Sequence, residues 1–75
     1  MFSNTVYPQR YQTATVEAGE NGLPLRASPA FNAPIIGDIP DGGKLVVLRR
    51  LNEWFAVRSG DIEGYAPCEN LVLHY

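Results

Sequence analysis

Side chains alternate between two faces with a two-residue period in the runs from Tyr11 to Ala18 and from Trp54 to Arg58 of this 75-residue chain. No run carries the 3.6-residue periodicity of an amphipathic helix. From Tyr11 to Ala18 one side holds Tyr11, Thr13, Thr15 and Glu17, and the other holds Gln12, Ala14, Val16 and Ala18. Thr, Val and Tyr suit a pleated, half-buried surface, so this run predicts a first strand. Gly19-Glu20-Asn21-Gly22 then reads as a turn, and Leu23-Pro24-Leu25-Arg26 as a short strand whose proline implies an edge or a strand start. Residues 27–34 form a loop punctuated by Pro29 and Pro34, with Phe31 expected to plug it into the core. Ile35–Ile39 is a third strand, followed by the strong turn Pro40-Asp41-Gly42-Gly43. Lys44–Leu51 is the longest β run, and Asn52-Glu53 turns the chain into Trp54.

Trp54 to Ala66 is the clearest hairpin. Trp54, Ala56 and Arg58 face one way, Phe55 and Val57 the other. Gly60-Asp61 reverses the chain between them. Gly64 lies inside the second strand, where glycine marks a bulge or a close backbone approach; it is expected to let the strand bend. Pro67-Cys68-Glu69-Asn70 suits one turn of 3₁₀ helix, and Leu71–Tyr75 closes as a last strand. The expected fold is all-β: a small barrel of five to seven short strands with one 3₁₀ turn near the C-terminus. Closure would limit exposed strand edges, which invite aggregation.

Composition narrows the class. A chain this short buries only roughly 60–65% of its extended surface and supports one domain. We divide it into an extended arm over residues 1–10, either disordered or docked through Phe2 and Tyr7, and a barrel domain over residues 11–75. Six basic and eight acidic residues leave a net charge of −2, which disfavours a nucleic-acid partner. Arg49-Arg50, the only adjacent basic pair, reads as a solvated strand end. No apolar stretch approaches the ~20 residues of a membrane helix, so no membrane partner is expected. The single cysteine, Cys68, allows no internal disulfide. No basic start followed by an apolar run marks a signal peptide. The expected compartment is the cytoplasm for a full-length chain, and the cell envelope or exterior for a fragment of an exported protein.

The order of motifs resembles the bacterial SH3-like (SH3b) domain family. Gly22-Leu23-Pro24-Leu25-Arg26-Ala27-Ser28-Pro29 is similar to its Gly-Leu-x-Val-Arg-x-x-Pro segment, and Ile35-Ile36-Gly37-Asp38-Ile39 to its Val-Ile-Gly-x-Leu segment. Turn residue Gly42, then Leu45 and Val47, Trp54-Phe55-Ala56-Val57-Arg58, Gly64-Tyr65-Ala66 and Leu71 follow in the family's order. Tyr65 stands where Trp is usual and Pro24 where a polar residue is usual. The alignment points Leu45 and Val47 inward. Val46 and Leu48 then lie outside, covered by a neighbouring segment or free to form a partner patch.

The resemblance implies a non-enzymatic binding module for a peptide, with a cell-wall peptide among the candidates. Its alternative is an intracellular protein–protein module or small subunit of a larger assembly, with self-association a further option. It also implies a groove between Gly19–Gly22 and Arg49–Glu53. Trp54, expected to be partly exposed, is either a ligand contact there or a packing lid with only its edge wet. Tyr65, Tyr11, Tyr7, Phe31 and Tyr75 are candidates to share its neighbourhood. Arg50, Glu53 and Glu20 on the rim are placed to orient a charged peptide end. The ligand-binding set is thus Trp54, Tyr65, Tyr11, Glu53 and Arg50. Arg26, matching the family's Arg, is expected to brace the loop near Pro29 through carbonyls. No catalytic or metal-binding residue and no cofactor is expected. Cys68 and His74 match no hydrolase motif, and one Cys with one His is too few for a metal site. Cys68 reads as a small buried or half-buried residue and His74 as a surface one.

Overall fold

The computed structural model describes residues 12–74. The arm, Tyr11 and Tyr75 lie outside them, and with them the expectations placed on Phe2, Tyr7, Tyr11 and Tyr75. Seven strands follow in order: β1 (Gln12–Val16), β2 (Leu23–Arg26), β3 (Ile35–Ile39), β4 (Lys44–Leu51), β5 (Trp54–Ser59), β6 (Ile62–Pro67) and β7 (Leu71–His74). They form one antiparallel sheet in the order β3-β2-β6-β5-β4-β1-β7. A 3₁₀ turn at Cys68–Asn70 sits where the sequence places it, and a second at Gly19–Asn21 occupies the predicted turn. The fold is the expected small all-β one. Its hydrogen-bonded order has two ends, at β3 and β7, so the barrel is a curled sheet rather than a closed ring of pairings.

Every strand feeds one core. Ala14, Val16, Leu23, Leu25, Ile39, Leu45, Val47, Phe55, Val57, Ala66 and Leu71 form a single buried cluster. Ile39 and Leu71, on the strands at opposite ends of the order, are both buried although the described residues supply no second layer to cover the sheet, which requires it to curl. β1 is shorter than its alternation suggests. Past Val16 the backbone finds other partners: Glu17 N donates to the Asn70 carbonyl (2.8 Å), and Ala18 N donates to Asp41 Oδ1 (2.9 Å). Asp41 thereby ties the first 3₁₀ turn to the turn before β4.

The β5–β6 hairpin pairs as its alternation requires, from Trp54 opposite Pro67 to Ser59 opposite Ile62. Its two-residue turn has Gly60 at φ 60°, the positive φ that a type II′ turn needs at its first central position. The β5–β6 register runs through Gly64 without a shift, so the glycine marks no bulge in that pairing. It admits β2 instead: a Cβ there would meet the Arg26 carbonyl oxygen at 3.0 Å and Leu25 Cβ at 3.2 Å. The register shifts lie elsewhere, between Leu25 and Arg26 and between Val47 and Arg49. The latter matters for the site. Leu48 is the extra residue, and past it each β4 side chain exchanges faces, so Arg50 stands opposite core-facing Phe55. Leu45 and Val47 point inward as expected, and Val46 and Leu48 are half-buried.

Candidate functional groove

The site is assembled at the end of the barrel where β5 begins. Asn52 turns the chain with φ 58°, and its carbonyl accepts from Arg50 Nε at 2.8 Å. The next strand starts at Trp54, flanked in the sheet by Leu51 and Pro67. Trp54 lies on the face away from the core cluster, yet it is only 9% exposed. The expectation of a partly exposed Trp54 is therefore corrected: the indole is a buried floor.

What covers it is Phe31. The two ring centroids are 4.8 Å apart with planes tilted by 56°. Phe31 itself is 66% exposed, so it does not plug the core as the sequence suggested. The physical reason lies in the loop's own bonding. Ala27 N donates to the Pro34 carbonyl (2.9 Å) and Ala33 N to the Ala30 carbonyl (3.1 Å), which folds the loop back on itself. Arg26 Nη1 donates to the Ala33 carbonyl (3.1 Å), the carbonyl brace expected of it. Ala33, not Phe31, is the loop residue that becomes buried. Phe31 is left on the outer face, over Trp54.

Three shallow depressions share Trp54. One lies between Pro29 and the Arg50–Glu53 turn. A second is walled by Phe31, Arg50, Glu53, Pro67, Cys68 and Glu69. The third runs past Phe31 to Pro24, Asn70, Ala18 and Gly22. Joined, they make a groove from the first 3₁₀ turn to the turn before β5. Its middle is aromatic and proline-lined; the end near Arg50, Glu53 and Glu69 carries charge.

Of the sequence-derived residues, the structure brings Trp54, Glu53 and Arg50 together here. Tyr65 does not share their neighbourhood. It stands opposite Ala56, one pair further from the Trp54–Pro67 rung than Ala66, and lines a separate hollow with Leu48, Arg49 and Glu63. Glu20 is exposed on the first 3₁₀ turn and lines none of the three depressions. Pro29, Pro67 and Glu69 are groove residues that sequence reasoning missed, while Phe31, one of the candidate neighbours of Trp54, does lie beside it. The signal for Phe31 was an aromatic between two loop prolines; nothing local told whether it faced in or out.

Arg50 is committed within the fold. Besides its bond to Asn52, its guanidinium lies 5.7 Å from the Phe55 ring centroid, within cation–π range. Cys68 is half-buried beside it, with Sγ 3.8 Å from the Asn52 carbonyl oxygen. His74 is exposed, and its Nε2 lies 2.6 Å from Thr15 Oγ1. Cys68 and His74 thus make contact with different residues.

A curled seven-stranded antiparallel sheet with a proline- and aromatic-lined groove at one end is the architecture of an SH3-like binding module. The family model for the bacterial SH3 domain matches residues 21–71, and the chain belongs to that family. Among curated proteins none matches the chain. The family is one of non-catalytic modules that bind peptides or proteins.

Proposed function

We propose that this chain binds an extended peptide along the groove floored by Trp54, and that a cell-wall peptide is its natural ligand. One observation carries the reading: Phe31 offers a 66% exposed aromatic face that is held in place from behind by Trp54. A rigid, exposed ring flanked by Pro29 and Pro67 is a surface on which an extended backbone can stack without ordering many side chains. The cell-wall reading requires the domain to act outside the membrane.

Trp54 is the only tryptophan in the chain, so its emission reports on the groove directly. Titrating the full chain with soluble cell-wall stem peptides should shift that emission and the amide resonances of Phe31, Glu53 and Trp54. Phe31→Ala should weaken binding about five- to tenfold, the scale of an aromatic contact of ~1 kcal/mol. Binding that is indifferent to Phe31, or no response to any wall peptide, would sink the reading.

A second reading, contact with a folded protein, has its own observation. Ile35, Ile36 and Ile62 are 57%, 42% and 42% exposed, and both Ile36 and Ile62 border the contact between β3 and β6 at the edge of the sheet. A protein partner that perturbs the Ile36 and Ile62 amides and leaves Phe31 and Trp54 untouched would favour it.

A further inference from the structure

The depression on the β6 side of Phe31 bears on the chemistry of the ligand. We infer that the peptide carries a cationic side chain of the lysine type, seated on Phe31 between the carboxylates of Glu53 and Glu69. This rests on the groove reading above and adds the chemistry of the residue that enters it.

The groove is aromatic first. The outward face of Phe31 walls this depression, and an aromatic face attracts a cation through its quadrupole. Its charge is the second observation. Glu53 and Glu69 are both exposed and both line the depression. They are held close by the backbone, because Cys68 N donates to the Glu53 carbonyl at 2.8 Å and Glu69 follows directly. Neither carboxylate is engaged by another described residue, whereas the cations bordering the groove are. Arg50 donates Nε to Asn52 and lies over Phe55, and Arg26 donates to Ala33. Two open carboxylates against one committed guanidinium leave this end of the groove net acidic. An anionic peptide residue would meet both carboxylates. A neutral one would forgo them. A lysine-type ammonium gains both, while its aliphatic stem lies along Phe31 and Pro67.

The contacts are exposed, so each is modest: a surface ion pair and an exposed cation–π contact contribute a factor of roughly two to five apiece. Together they amount to about a tenfold preference.

The test uses the full chain and three capped pentapeptides, Gly-Pro-X-Pro-Gly with X lysine, acetyl-lysine or glutamate, followed by Trp54 emission and amide shifts. The lysine peptide should bind about tenfold more tightly than the acetyl-lysine one, and the glutamate peptide most weakly. Raising the salt should shrink the difference, since screening acts on exposed charges. In the Glu53→Gln, Glu69→Gln double variant the lysine advantage should vanish. Equal affinity for lysine and acetyl-lysine, with shifts still centred on Phe31 and Trp54, would overturn the cation inference and leave the peptide reading standing. A lysine advantage that survives in the double variant would do the same. No shift at Phe31 or Trp54 with any of the three would overturn both.

Discussion

Asn52 shows how one residue sets the geometry of the groove. It is the only non-glycine described residue with positive φ, and its carbonyl receives both Arg50 Nε and, more distantly, Cys68 Sγ. Asparagine visits the left-handed region more readily than most residues, while a β-branched side chain there costs about 1–2 kcal/mol. Asn52→Gly should therefore leave stability unchanged or slightly raised, and Asn52→Val should lower it by about 1–2 kcal/mol in urea denaturation. The two substitutions remove the same side chain, so a common effect would mean that the backbone conformation is not what Asn52 supplies. At this scale the sequence was legible for residues whose role is local. Arg26 as a carbonyl brace and Cys68 as a half-buried small residue follow from side-chain chemistry and neighbours in the chain. Trp54 and Phe31 were not legible. Their exposures depend on each other, and they lie 23 positions apart.

At the scale of elements, alternation and turn chemistry carried most of the fold. β3, β4 and the hairpin of β5 and β6 lie where period-2 patterning and glycine turns place them. What alternation cannot register is an inserted residue. The bulge at Leu48 exchanges the faces of β4, bringing Arg50 level with Phe55 rather than outward with Val46. A pattern of Leu-Arg-Arg-Leu reads equally well in either phase. Gly64 makes a complementary point. Its presence in a strand was visible, but not which backbone comes close to it. Because a Cβ there would lie 3.0 Å from the Arg26 carbonyl oxygen and 3.2 Å from Ile36 Cδ1, Gly64→Val should destabilise by about 1–3 kcal/mol through overpacking. Urea denaturation monitored by Trp54 emission measures it; a variant as stable as the parent would show that β2 and β6 can separate freely at this point.

For the whole molecule, a small curled sheet depends on a core that all seven strands share. Leu25 is fully buried at its centre, so Leu25→Ala should cost about 2–5 kcal/mol, a large part of a small domain's stability. A thermal melt should show the midpoint falling steeply, with β2, β3 and β6 loosening together because the hairpin of β2 and β3 joins the sheet through the contact of β2 with β6; a shift of only a degree or two would mean that the core repacks around the gap. The sequence by itself determined the class of fold, the strand order along the chain, the inward facing of Leu45, Val47, Phe55, Val57 and Ala66, and the family. These rest on periodicity, turn residues and motif order, all of which are local or nearly so. Only the tertiary structure decided the groove: that Phe31 covers Trp54, that Tyr65 looks elsewhere, and that Glu69 joins Glu53 beside Arg50. Each of these joins segments far apart in sequence, and side-chain facing across such distances is set by bulges, loop bonding and sheet curvature that no single stretch of the chain records.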